Sequence, residues 1–111
     1  MRPPVNPDTD QAITDCFRIL AHPERRTLLR QLQTSPATSV PVAKLVTELS
    51  HQHDIDQEIG RISLEQIHLP RLAAADVITH DSEAQIVQYQ PDPLVEALLD
   101  CVSSTVEQAE R

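Results

Sequence analysis

Glycine, aromatic residues and lysine are nearly absent from this chain of 111 residues. Gly60 is the only glycine, which excludes a glycine-rich phosphate loop and a dinucleotide fingerprint, because both need several glycines at fixed positions. Phe17 and Tyr89 are the only aromatic residues, so the core must consist of leucine, isoleucine, valine and alanine. Such a core supplies little total area, which favours association with a second copy.

Cysteines and long apolar runs are equally scarce. Cys16 and Cys101 lie far apart and form no metal-binding spacing, and we expect them to be buried structural thiols and not a redox switch. No stretch approaches the ~20 apolar residues of a membrane span. The first residues contain no apolar run of the secretory type. We therefore expect a cytoplasmic protein without membrane association.

The charge balance is strongly acidic. Asp and Glu number 17 against 9 Lys and Arg, for a formal charge of −8, and Lys44 is the only lysine. This composition is typical of a surface adapted to concentrated salt, where a Debye length of ~3 Å screens self-repulsion. The alternative is an ordinary acidic domain.

The hydrophobic spacing predicts one mainly helical domain over residues 9–107, after a disordered lead-in over residues 1–8. Thr9 or Asp10 can cap a first helix that runs to about Leu20. Pro23 suits the first turn of a second helix, residues 23–33, which buries leucines and carries Arg25, Arg26 and Arg30 on its other face. A third helix follows, with apolar residues at helical spacing: Val42, Leu45, Val46 and Leu49.

Residues 61–77 form the segment around which the rest is organised. A long polar connection, residues 50–58, leads into it, and part of that connection is helical if Ile55, Ile59, Ile62 and Leu69 share one face. Pro70 lies inside the helix and predicts a kink near Leu69.

A β-hairpin and a last helix complete the chain. The β-rich runs 77–80 and 85–89 are joined by a turn, and Val40 can add a very short strand. Asp92 and Pro93 then start a final helix over residues 92–107. Its apolar stripe needs a partner, partly the first helix and partly a second copy, so we predict a homodimer. The predicted dimer interface comprises Phe17, Leu94, Leu98, Cys101, Val102 and Val106.

Two strings resemble those of ArsR-type winged helix-turn-helix regulators, and more narrowly the ArsR-like domains of halophilic archaea. They are ILAHPERRTLLRQL, residues 19–32, and HLPRLAAADVI, residues 68–78. The resemblance covers about residues 10–100. It implies a homodimer that binds double-stranded DNA, with the hairpin, residues 77–90, as the wing and residues 92–107 as the dimerisation helix.

By this resemblance the helix that ends near His68 enters the major groove. Arg61, Ser63, Gln66 and Ile67 then lie on or beside the reading surface. The basic residues available for phosphate contacts are Arg25, Arg26, Arg30, Lys44 and Arg71. The alternative for these arginines is pairing with Glu24, Glu48 and Glu58 on a solvated surface.

Acidic residues near this segment favour a second hypothesis, a winged helix used for protein–protein assembly without DNA binding. Asp54, Asp56, Glu58 and Glu65 crowd the reading helix, and the wing turn carries Asp81 and Glu83 and no base.

Other kinds of site are not indicated. His51, His53 and Asp54 are more typical of a solvated loop than of a metal site. His68 lies on the leucine face and is expected to be a satisfied interior histidine. No nucleophile–base pair stands out, so we predict neither an enzyme nor a cofactor.

Overall fold

A computed structural model describes the backbone of residues 7–109 and the side chains of residues 10–102. The chain is mainly helical with a small antiparallel sheet, as predicted. Its elements are α1 (Pro7–Leu20), α2 (Pro23–Thr34), β1 (Ser39–Pro41), α3 (Val42–His53), α4 (Gln57–Ser63), a π-helical turn (Leu64–His68), α5 (Leu69–Ala74), β2 (Ile78–Asp81), β3 (Ile86–Tyr89) and α6 (Pro93–Ala109).

The first two helices follow the predicted order with a different start. α1 begins at Pro7, so part of the predicted lead-in is helical, and residues 1–6 lie outside the described residues. α2 begins at Pro23, and the His22 side chain accepts a hydrogen bond from the Glu24 amide at its N-terminus. Leu28, Leu29 and Leu32 of α2 are buried as predicted.

The connection before the central segment is shorter than predicted. α3 extends to His53, so only residues 54–56 separate it from α4. Asp54 takes the left-handed conformation (φ 51°) that ends α3, and the Asp56 carboxylate accepts a hydrogen bond from the Glu58 amide at 2.8 Å. Aspartate tolerates the left-handed conformation and is a good N-cap. Asp54 and Asp56 can therefore end one helix and start the next within three residues, where a longer polar loop was predicted.

The helical irregularity caused by Pro70 takes the form of a π-helical turn. The Leu69 amide bonds to the Leu64 carbonyl, five residues earlier. Pro70 has no amide hydrogen and its ring would clash with the Gln66 carbonyl of a regular α-helix. The π-helical turn over Leu64–His68 directly precedes Leu69, and the kink near Leu69 stays a prediction.

The predicted hairpin is confirmed and belongs to a three-stranded sheet in the order β1-β3-β2. Val87 of β3 lies opposite Val40 of β1 and His80 of β2. The Asp81 carboxylate accepts hydrogen bonds from the amides of Glu83 (3.0 Å) and Ala84 (3.1 Å), and Gln85 has a φ of 56°. Side-chain capping and a positive φ at Gln85 thus close the turn without glycine.

α6 packs against α1 and is attached to the sheet. Asp92 accepts hydrogen bonds from the amides of Leu94 (2.9 Å) and Val95 (3.2 Å), as its predicted capping role requires. The Tyr89 hydroxyl donates to Glu96 at 3.1 Å. Val95 and Leu99 are buried in one core with the leucines of α2, α3 and α5. None of the described helices is long and apolar enough to span a membrane.

Candidate functional site

The helical segment formed by α4, the π turn and α5 has one buried side and one exposed side. Besides Gly60, its buried residues are Leu64, His68, Leu69 and Leu72, each of these four at most 1 % exposed. Leu64, His68 and Leu72 follow one another at intervals of four residues, and Leu69 lies next to His68, so they share one side of the helical segment. We define the exposed flank as Ile59, Arg61, Ile62, Gln66, Ile67 and Arg71, all of which are exposed.

Most of the predicted reading residues lie on this exposed flank. Arg61, Gln66 and Ile67 are exposed, whereas Ser63 is half-buried. Arg71 is also exposed, one turn beyond Ile67, and Lys44 is exposed on α3. The flank is more apolar than expected, because Ile59 and Ile62 are 58 % and 55 % exposed and do not continue the buried face of Leu69.

Arg61 has the carboxylate of Glu65 beside it, one helical turn further along the segment. Its Nη1 lies 3.7 Å from Glu65 Oε1, with both side chains well exposed to solvent. Such an exposed pair contributes little to stability and can exchange partners readily. Glu65, and not the Glu58 considered from the sequence alone, is thus the carboxylate that pairs with Arg61.

Arg25 does not face solvent, and its predicted position on an outer DNA-binding surface is wrong. Its side chain is only 8 % exposed. Nε donates to the Ile19 carbonyl at 2.8 Å and Nη2 donates to the Arg18 carbonyl at 2.9 Å. These carbonyls belong to the last turn of α1, whose helix supplies no partner for them. Arg25 thus caps α1 from the neighbouring helix.

Arg26 and Arg30 are half-buried on α2. Arg26 Nη1 donates to the Leu20 carbonyl at 2.6 Å, so its guanidinium is also turned toward α1. Arg30 Nε is buried and lacks a hydrogen-bond partner among the described residues. α2 therefore holds its arginines against the protein more closely than a solvated basic face would.

A buried polar cluster joins the start of α2 to the π turn. His68 Nε2 lies 2.5 Å from Glu24 Oε2, and His68 Nδ1 lies 3.4 Å from Arg25 Nη1. The His22 ring packs edge-on against His68, with 4.7 Å between ring centroids. The prediction of a satisfied interior histidine at His68 is confirmed, although its partners lie too far away in sequence for a local pattern to indicate them.

Only one protonation pattern of neutral His68 satisfies both contacts. A guanidinium can only donate, so Nδ1 accepts from Arg25, and the proton of the neutral ring must sit on Nε2 and be donated to Glu24. Burial lowers the pKa of His68, and the Glu24 carboxylate offsets this effect only in part. The neutral, Nε2-protonated form is therefore favoured.

His22, Glu24 and His68 are also the one group among the described residues whose donor atoms could hold a metal ion, with those atoms within 4.8 Å of one another. A metal needs the lone pair of a deprotonated histidine nitrogen. His68 Nε2 carries its proton toward Glu24, and the Arg25 guanidinium beside the ring repels a cation. These residues fit a hydrogen-bonded cluster better than a metal centre.

The histidines of α3 do not form the predicted solvated loop. His51 and His53 both lie in the last turn of the helix, and His53 Nε2 is 2.8 Å from the Thr27 hydroxyl. Side chains two positions apart on a helix do not face each other. This geometry disfavours a shared metal site for the pair.

The predicted dimer interface is partly exposed. Phe17 is 58 % exposed on α1, and Leu94, Leu98 and Val102 are half-buried on α6. Cys101 is exposed, against the expectation of a buried thiol, whereas Cys16 is buried and its pKa is raised by that burial. The side chain of Val106 lies outside the described residues.

Comparison with known proteins places this arrangement in a family. A family profile described as "Domain of unknown function (DUF7344)" matches residues 17–88, which extend from Phe17 in α1 to Gln88 in β3. The chain belongs to this family. The matched region contains the exposed flank, the buried cluster and all of the hairpin except Tyr89. No curated protein and no solved structure matches the chain.

Proposed function

We propose that the chain is a winged helix-turn-helix domain of the ArsR type that acts as a homodimeric, DNA-binding transcriptional regulator in the cytoplasm. In this proposal α3 and the helical segment 57–74 form the helix-turn-helix, the β2–β3 hairpin is the wing, and α6 with α1 forms the dimer interface. The observation that carries it is the exposure of Arg61, Gln66 and Ile67 on a helical segment that packs against the hairpin through α5 and β2. These side chains suit base-edge readout, since Arg can contact guanine, Gln adenine and Ile the thymine methyl group.

The acidic residues around the flank constrain how DNA would be bound. Asp56 and Asp81 cap backbone amides, but their charges remain, together with those of Asp54, Glu58 and Glu83. In about 1 M salt the Debye length is ~3 Å, so phosphate repulsion and phosphate attraction are both strongly screened. Base-edge and shape readout then supply most of the affinity, consistent with a protein adapted to concentrated salt.

Enrichment of a random duplex library on the purified dimer, at low and at molar KCl, tests the proposal directly. We expect one enriched, two-fold symmetric motif that survives molar KCl. Glu65→Gln should strengthen binding, because it removes the carboxylate next to Arg61 and frees Arg61 from its partner. Asp100→Asn on α6 is the charge-matched control and should leave the affinity unchanged. Failure of a folded dimer to enrich any sequence would refute DNA binding.

The three exposed isoleucines of the flank favour a second candidate, a winged helix that binds another protein. Ile59, Ile62 and Ile67 are 58 %, 55 % and 46 % exposed, and contiguous exposed apolar surface often marks an interaction site. Ile62→Lys separates the two functions. The added base should strengthen binding to DNA, whereas a lysine in an apolar protein interface should abolish the complex.

A further inference from the structure

Arginines from three helices border one surface cleft of about 260 Å³. Arg18 belongs to α1, Arg25 to α2 and Arg71 to α5. Asp15 is the only carboxylate in its lining, and Ile19, Ala74 and Ala75 provide an apolar wall. A chain with a formal charge of −8 thus concentrates three of its nine basic residues in one place.

Arg25 is held rigidly at this cleft. Two backbone carbonyls and His68 Nδ1 occupy one hydrogen on each of its three nitrogens. A guanidinium has five N–H groups, so one hydrogen on each Nη remains available. Because the Arg25 guanidinium is already fixed, it would lose little conformational entropy when a ligand accepts hydrogen bonds from these two N–H groups.

The positive charges at the cleft are only partly balanced, because Asp15 lines the cleft and Glu24 lies near Arg25, yet neither forms an ion pair there. Within residues 10–102, no carboxylate forms an ion pair with Arg18, Arg25 or Arg71. Burial lowers the pKa of Arg25, and the charge of Arg71 lowers it further. Like charges held together in a partly buried site are unfavourable unless an anion joins them.

We propose that this cleft binds a small organic anion, a carboxylate or phosphate ester with a short aliphatic chain, between Arg18, Arg25 and Arg71. Carboxylate and phosphate both match the planar donor geometry of arginine. The volume of about 260 Å³ lies just below the usual range of ligand pockets, which suits a small metabolite, and the aliphatic part would contact Ile19 and Ala74. Arg18 and Arg25 lie outside the exposed flank, and Arg71 belongs to both the flank and the cleft.

NMR titration of the full chain at constant KCl tests the proposal. The probes are succinate and 3-phosphoglycerate, with succinamide as the uncharged control. We expect saturable shifts of the Ala74 and Ala75 amides with the anions and none with succinamide. Arg71→Gln should weaken anion binding about tenfold, since a charge-assisted hydrogen bond contributes roughly 1.5–3 kcal/mol. Arg61→Gln, an exposed arginine outside the cleft, should not weaken it.

Three results would overturn the proposal. The first is that neither anion binds, and the second is that succinamide binds as well as the anions. The third is that Arg61→Gln weakens binding as much as Arg71→Gln. A titration with duplex DNA separates the two sources of phosphate. If DNA alone shifts the Ala74 and Ala75 amides, the cleft holds a DNA backbone phosphate and not a small anion. Arg61 and Arg71 are both exposed, so their variants should fold, and thermal unfolding of each variant checks this.

Discussion

His68 Nε2 donates a hydrogen bond of 2.5 Å to Glu24 Oε2, across a sequence separation of 44 residues. This contact connects the π turn to the first turn of α2, and Arg25 extends it to the end of α1. The π turn therefore aims His68 at the start of α2. α1, α2 and the π turn of the 57–74 segment therefore meet at this buried cluster, close to the arginine cleft.

Mild acidification should destabilise the protein through His68. Its pKa in the folded chain is lowered by burial, so protonation favours the unfolded chain, in which the pKa is about 6.5. The stability from neutral His68 is fully present above that value and is lost as the pH falls below it.

Urea unfolding at a series of pH values between about 5 and 8 measures this dependence. His68→Gln cannot titrate, so its stability should fall less steeply below about pH 6.5 than that of the natural sequence. Parallel curves for the two proteins would contradict the assignment to His68.

Gly60 is required by close packing of α4 on α3. A Cβ at this position would lie 2.9 Å from Ser50 Oγ, a buried hydroxyl without a partner among the described residues. Gly60→Ala should destabilise by about 1 kcal/mol, because overpacking of ~1–3 kcal/mol exceeds the helix-propensity gain of roughly 1 kcal/mol.

Ser50→Ala removes the atom that an alanine at position 60 would meet. The double variant should therefore recover about 1 kcal/mol relative to Gly60→Ala alone, a coupling typical of residues in contact. Thermal or urea unfolding of the four proteins of this cycle measures the coupling. Strictly additive effects would show that Ser50 does not limit the packing.

Asp92 should contribute measurably to the stability of α6. Its carboxylate accepts the amides of Leu94 and Val95, and the loss of an N-cap typically costs about 1 kcal/mol. Asp92→Ala should lower the free energy of unfolding by this amount, whereas Asp92→Asn, an equally good cap, should leave it nearly unchanged. Equal destabilisation by both would indicate that the negative charge matters more than capping.

Phe17 offers a test of the proposed homodimer that spares the core. It is 58 % exposed, so Phe17→Glu should fold but raise the dimer dissociation constant more than about tenfold, as expected for a central aromatic anchor. Ile59→Glu is a matched control, because Ile59 has the same exposure on α4. Light scattering coupled to size exclusion reports the mass. A dimer unaffected by Phe17→Glu, or a natural chain that is monomeric, would refute this interface.

Much of the fold could be predicted from local patterns. The spacing of Val42, Leu45, Val46 and Leu49 identifies α3, and all four are buried. Pro23 and Asp92 mark helix starts because their chemistry suits first turns and caps. The alternation of β-rich runs around residues 81–84 identifies the hairpin. Such features depend on neighbours within one or two turns, which a sequence displays directly.

The arrangement of the charged residues could not be predicted in this way. Arg25, Arg26 and Arg30 are close in sequence, yet Arg25 is buried because the end of α1 presents unpaired carbonyls to it. Ile59 and Ile62 have the spacing of a buried face but are exposed, since Gly60 is the residue of α4 that packs against α3.

The sequence by itself determined which segments form helices and strands and where several of them begin, because caps, prolines and apolar periodicity act over a few residues. Tertiary packing alone decided which side of the 57–74 segment is exposed and which arginines face the cleft. It also brought Glu24 to His68, since contacts between residues far apart in the chain arise only when helices pack against one another.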